Sequence, residues 1–194
     1  GVLLQMEPGT RLTGTFAGFD LVFFQLSEIN FVFGVIFLAI SAIASVYALH
    51  VNDAGQQAAS VLYTAGAMGV TFAGDFLTLL IFWELMAVAS AWLIFARHRP
   101  ESTRAGFRYL IFHVLGGSVL FGGIILLYGQ TGSLELMALS PEQGLAAWLI
   151  LIGVVINVAL PPLHPWLPDA YPRATVTGAI FMSALTTKSA VYVL

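Results

Sequence analysis

Six apolar runs of roughly twenty residues, near 30–50, 57–74, 75–96, 105–128, 144–163 and 174–194, fill almost all of the chain beyond its first thirty residues. A helix rises about 1.5 Å per residue, so each run can cross roughly 30 Å of hydrocarbon. Because lipid offers no partner to an unpaired backbone group, such runs fold as helices, and the expected fold is an all-α, polytopic transmembrane bundle of about six spans. Charge supports this: only 9% of the 194 residues are charged, where about a quarter is ordinary for a soluble domain. The second and third runs are fused, and the division is placed at Gly74-Asp75, where a flexible residue meets a charge. Residues 1–29, with Pro8, Gly9, Gly14 and Gly18, read as a loop followed by an interfacial segment, DLVFFQLSE.

Several classes of function are excluded or disfavoured by what the chain lacks. Without cysteine there are no thiolate metal sites, iron–sulfur clusters or cysteine nucleophiles within these residues. A net charge of −3, with seven Lys and Arg thinly spread, makes no face for nucleic acid. His50, His98 and His164 fall near span ends, and no HxxxH or ExxH spacing gathers ligands, so no metal and no cofactor are expected. The opening residues carry no signal-peptide pattern. Starting at Gly1 and stopping at Leu194 inside an apolar run, the sequence reads as a fragment.

Orientation follows from the basic residues. The loop after the third run carries Arg97, Arg99, Arg104 and Arg108, whereas GQTGSLELMALSPEQ after the fourth carries none. The arginine loop is therefore expected on the cytoplasmic side. Alternation puts Arg173 there too and Arg11 opposite, five basic residues against one.

A few polar residues interrupt the runs. Glu84 sits too deep in DFLTLLIFWELMAVASAWLIF to snorkel, and Ala87 and Ala91 on its helical face allow another helix to approach. An ionisable group at such depth either pins two helices together or serves an ion path. Lys188, the only lysine, lies among Ser183, Thr186, Thr187 and Ser189. Burial lowers a lysine's proton affinity and a nearby carboxylate restores it, so such a group can load and release protons; the alternative is a lysine that reaches the far interface from the end of its helix. His113 shares a face with Gly106 and Gly117 and reads equally as a relay or a packing residue. In the fifth run, Pro161 and Pro162 remove the amides that would bond the carbonyls of Asn157 and Val158. The helix should break there and line a cavity, with Asn157 at the same level. Trp166 and Tyr171 suit a membrane interface.

FWEL around Glu84, the run PLHPWLPDAYPRAT and the helix SALTTKSAVYVL together resemble the antiporter-like membrane subunits shared by respiratory NADH:quinone oxidoreductase and Mrp-type multisubunit cation/proton antiporters. The resemblance covers nearly the whole chain from about residue 30. It implies a first five-helix repeat over 57–194, a preceding helix, and a missing C-terminal half. By resemblance Glu84 is the glutamate that modulates a lysine, and Lys188 is the lysine of the helix after the broken one. Asn157 stands where the family's broken helix usually carries its own lysine, one turn before the proline. With Asp169 and Tyr171, PLHPWLPDAYPRAT leans toward the D-type Mrp subunit.

The resemblance therefore implies a proton-translocating, multi-pass subunit of a bacterial inner-membrane Na+/H+ antiporter, working with other membrane subunits and moving protons and Na+. Its path would use Glu84, Lys188, His113 and Asn157 beside the broken helix. A proton-pumping subunit of NADH:quinone oxidoreductase or a related hydrogenase complex is the alternative. A non-conducting scaffold is the third, kept open by Asn157.

Overall fold

The computed structural model describes residues 6–194. It is mostly helical, with α1 (Glu28–Tyr47), α2 (Ala54–Phe72), α3 (Phe76–Phe95), α4 (Pro100–Thr131), α5 (Leu145–Val158), the short α6 (Trp166–Ala170) and α7 (Val176–Val193). A helix stands in each of the six apolar runs. Four of these, α1 with its 3-10 extension to His50, α3, α4 and α7, are long and apolar enough to cross a membrane. The other two differ for separate reasons: α5 is stopped at 14 residues by the prolines that follow, and α2 has Gln56, Gln57 and Ser60 in its first half.

Side-chain caps fix where four of the helices start. Ser27 and Asn30 form a reciprocal capping box at α1, Asp53 accepts the first amides of α2, and Thr175 does the same for α7. The fused runs divide where the charge predicts. Asp75, only 1% exposed, caps α3 by accepting from the Thr78 amide at 2.7 Å and the Thr78 hydroxyl at 2.7 Å.

Residues 11–25, expected as loop and interfacial stretch, instead form a two-stranded antiparallel hairpin, β1 (Arg11–Phe16) and β2 (Phe19–Gln25). Its two-residue turn has both central residues at positive φ, Ala17 at 50° and Gly18 at 85°, the geometry that matches strand twist. Alanine is an uncommon occupant of the left-handed region, so Ala17-Gly18 does not announce the turn. The hairpin is tied to the bundle through Asp75, whose carboxylate also accepts the Val22 amide at 2.7 Å. Beside it the Gly74 amide donates to the Val22 carbonyl, and Arg11 pairs with Glu135 at 3.3 Å. One end of the bundle is thus stitched by the hairpin, the α2–α3 joint and the α4–α5 loop.

The opposite end carries the arginines. Arg108 donates two hydrogen bonds to Asp169, at 2.7 and 2.9 Å, and Arg173 pairs with the same carboxylate. These contacts hold the Asp169 carboxyl below the usual carboxylate range, the Arg108 hydrogen bond contributing most. Arg97 donates to the carbonyls of Pro172 and Ala174. The segment after the broken helix is therefore clamped onto α3 and α4.

Candidate functional site

The site is built around the helix break. α5 ends with Ala159 in the left-handed region at φ 63°, and the Pro161–Pro162 peptide is cis. Because neither proline carries an amide hydrogen, the last carbonyls of α5 need other donors. The Ile156 carbonyl finds one in the indole N–H of Trp166, at 2.9 Å. Trp166, expected at a membrane interface, is 1% exposed and lies inside the bundle, where it plugs the break. Tyr171 is half-buried, and its hydroxyl donates to the Met182 carbonyl at 3.0 Å.

Against the Trp166 ring stands His113, 2% exposed, edge-on at 4.7 Å between ring centres and stacked on Tyr109 at 3.9 Å. Its Nδ1 lies 3.0 Å from the Tyr109 carbonyl oxygen. A carbonyl can only accept, so Nδ1 carries a proton and, in the neutral ring, Nε2 presents a lone pair. Asn157 lines the same cavity as His113, and both Asn157 and Glu84 lie against the adjacent glycines of α4. A Cβ added at Gly116 would meet the Asn157 amide nitrogen at 3.1 Å, and one added at Gly117 would sit 1.8 Å from the Glu84 Oε1. The Glu84 carboxyl therefore occupies the space a side chain at 117 would fill. Gly117 is one helical turn from His113, so both belong to the same face of α4. Ala87 and Ala91 are buried, in keeping with close approach along the Glu84 face.

A narrow internal cavity opens among these elements, lined by Tyr63 of α2, Trp83 and Ala87 of α3, His113 of α4, Asn157 of α5, and Thr186 and Ser189 of α7, among others. Its free space is about 10 Å³, room for about one water. Tyr63 shares a hydrogen bond with Thr186 across it, and Tyr109 shares one with Ser90 at 2.7 Å. Among the described residues no three His, Asp or Glu gather to hold a metal ion.

Three of the four candidate path residues, Glu84, His113 and Asn157, are brought together on α3, α4 and α5. Lys188 is not among them. Its side chain is exposed on the outer side of α7, where Nζ donates to the Ser183 carbonyl at 2.7 Å. None of the three ion pairs among the described residues involves Glu84 or Lys188. Ser189, read from the sequence as a neighbour of Lys188, lines the cavity instead, and Trp83, Tyr63 and Tyr109 are site residues to which the sequence alone assigns no role. A phenol or an indole N–H inside an apolar run needs a partner when buried, and that is the signal that points to them.

A helical bundle with a proline-broken helix and a small internal cavity beside the break is the architecture of a class of multi-pass membrane subunits. Residues 73–194, well over half of the chain, match the family model described as NADH:quinone oxidoreductase/Mrp antiporter, TM, and the chain belongs to that family. It is an integral membrane protein. Among curated relatives it is 29% identical over 163 residues to NADH-quinone oxidoreductase subunit N of Deinococcus radiodurans, covering 78% of this chain and 33% of that one. It is 32% identical over 142 residues to a Na(+)/H(+) antiporter subunit of Alkalihalophilus pseudofirmus, covering 68% of this chain and 18% of the other. This chain thus spans a third or less of these relatives' length. In fold it resembles a chain of the Mrp complex from Dietzia, with TM-score 0.81, 22% identity, and 98% of this chain and 39% of that one covered. It also resembles a chain of respiratory complex I from Thermus thermophilus, with TM-score 0.80, 24% identity, and 99% and 43% covered.

Proposed function

We propose that this chain forms a half-channel of a proton-translocating subunit of a multisubunit membrane complex, with six spans, α1 to α4, the broken helix that begins with α5, and α7, and with residues 57–194 forming a first five-helix repeat. The observation that carries the reading is an imidazole and a carboxamide lining one cavity beside a broken helix, with an intramembrane carboxyl set against the same helix one turn from the imidazole. Glu84 and His113 exchange the proton within the bundle. Asn157, in place of a lysine, adds a neutral donor and acceptor without competing for charge. Lys188 receives or supplies the proton on the outer side of α7, reached through Thr186 and Ser189, so its coupling to Glu84 runs through α7 rather than by direct pairing. Protons, and Na+ where the complex couples it, are the transported species, and the setting is a bacterial inner membrane.

The primary reading is a Mrp-type Na+/H+ antiporter subunit. The second is a proton-pumping subunit of NADH:quinone oxidoreductase, favoured by the likeness to subunit N. Proton flux into vesicles carrying the full-length protein with its partner subunits tests both. Sodium-dependent flux lost in Glu84→Gln and Lys188→Ala supports the antiporter. Flux driven only by quinone reduction supports the oxidoreductase. Undiminished flux in both variants overturns proton translocation through this half and leaves a scaffold.

A further inference from the structure

Four buried side-chain polar atoms among the described residues have no hydrogen-bond partner, and three of them belong to residues lining the same cavity: Trp83 Nε1, His113 Nε2 and Ser189 Oγ. Unpaired buried polar groups are costly, and three from separate helices around space for about one water form a site with the partner number usual for buried water. Resting on the reading above, we propose that this cavity binds one water between Trp83, His113 and Ser189, and that the water's orientation reverses when His113 takes up a proton.

The donor inventory dictates the polarity. Trp83 Nε1 can only donate, so the water must turn its oxygen toward α3. The Tyr109 carbonyl keeps the proton of neutral His113 on Nδ1, so Nε2 accepts one water hydrogen and Ser189 Oγ accepts the other. The arrangement points a proton at the imidazole. Transfer breaks that water O–H bond and forms Nε2–H; the Ser189 hydroxyl then turns to donate, returns its proton to the oxygen so that the water is restored, and is itself reprotonated from solvent. His113 is then cationic and its Nε2–H donates. The water oxygen now accepts from both α3 and α4, and its two hydrogens turn toward Ser189 and Thr186 on α7. A second proton cannot enter until the first has left, which makes the site a one-proton gate.

The titratable groups around His113 are Tyr109 beneath its ring, Tyr63 across the cavity and Glu84 one turn along the α4 face. Asp169 of α6 is held by Arg108 and Arg173, and Lys188 of α7 is turned outward. Among these groups Glu84 is the carboxyl nearest along α4, set against Gly117 one turn from His113.

The test is a water-resolving cryo-EM map of the full-length protein in its complex, with the vesicle flux assay on the same preparations across pH. The expected result is one water peak within hydrogen-bond distance of all three atoms, absent in Trp83→Phe. In both Trp83→Phe and the milder Ser189→Ala, flux falls roughly tenfold, the size of one lost buried hydrogen bond, with its pH profile displaced. A wild-type map with no water at the three atoms overturns the proposal, as does an unchanged pH profile in both variants. Glu84→Gln and His113→Gln separate the two levels. If they abolish flux while Trp83→Phe and Ser189→Ala do not alter it, only the water gate fails. If they leave flux intact, the half-channel reading fails.

Discussion

The arginine-bearing end of the bundle and its middle treat charge in opposite ways. At the end, Asp169 is shared by Arg108 and Arg173, and Arg97 is spent on two backbone carbonyls. In the middle, Glu84 is in none of the ion pairs among the described residues, and Trp83 Nε1, His113 Nε2 and Ser189 Oγ have no hydrogen-bond partner from the described residues. Pairing a charge fixes geometry but also fixes protonation, and a group that must gain and lose protons cannot be locked that way. The end holds the segment after the break still, and in the proposed function the middle is left free to change state.

The strongest way to break this contrast is to fill the space that Glu84 uses. Gly117→Ala places a methyl where the carboxyl oxygen now lies, so the carboxyl must move by an ångström or more. Misplacement on that scale costs roughly a hundredfold in rate, and proton flux should fall accordingly. Combining it with Glu84→Asp, one methylene shorter, should restore part of the flux, although Glu84→Asp alone should weaken it. If the double variant is no better than Gly117→Ala, the glycine serves packing and not the placement of the acid.

At the other pole, Asp169→Asn should leave flux mechanics intact and lower stability. Both arginines remain partly exposed and solvent screens the pairs, so the loss should be about 1 kcal/mol, read by denaturant unfolding in detergent. Its pH dependence follows from the sign of the shift. Asp169 titrates lower in the folded protein than when unfolded, so its stabilisation is full above the unfolded value of about 3.9 and disappears as pH falls through the depressed folded value. The gap between wild type and Asp169→Asn should therefore be constant near neutrality and close in acid. A gap unchanged down to about pH 2 would show that shape, not charge, holds the clamp.

Trp166→Phe sharpens the boundary between the two regions, since this indole joins the clamped segment to the cavity. Removing its N–H leaves the Ile156 carbonyl with the longer 3.3 Å bond from Ala159, at a cost of about 1 kcal/mol or less. The same residue shows where sequence reading stops. The prolines tell where α5 must end, because the missing amides are a property of the residue itself. What meets the freed carbonyl is decided by tertiary packing, and a tryptophan suits both an interface and a buried hydrogen bond. Glu84 and His113 are legible because a titratable group in an apolar run stands out at any register. Lys188 is equally visible, yet its placement outside the cavity depends on the rotation of α7, whose apolar residues mark no single face.

The hairpin offers the smallest and most local test. Ala17 holds φ at 50°, where its Cβ crowds the backbone, while glycine would sit there without strain but lose more freedom on folding. The two effects nearly cancel, so Ala17→Gly should change hairpin stability by only a few tenths of a kcal/mol, with the sign set by the strain. If relief of strain prevails, amide exchange should slow across 11–25 and stay unchanged around His113. Slowing that reached the cavity would mean that the hairpin, the α2–α3 joint at Asp75 and the polar middle open as one unit. The division between a fixed end and a mutable centre would then have to be redrawn with Asp75 on the mobile side, because its carboxylate caps the helix that carries Glu84 and also holds the Val22 amide of the hairpin.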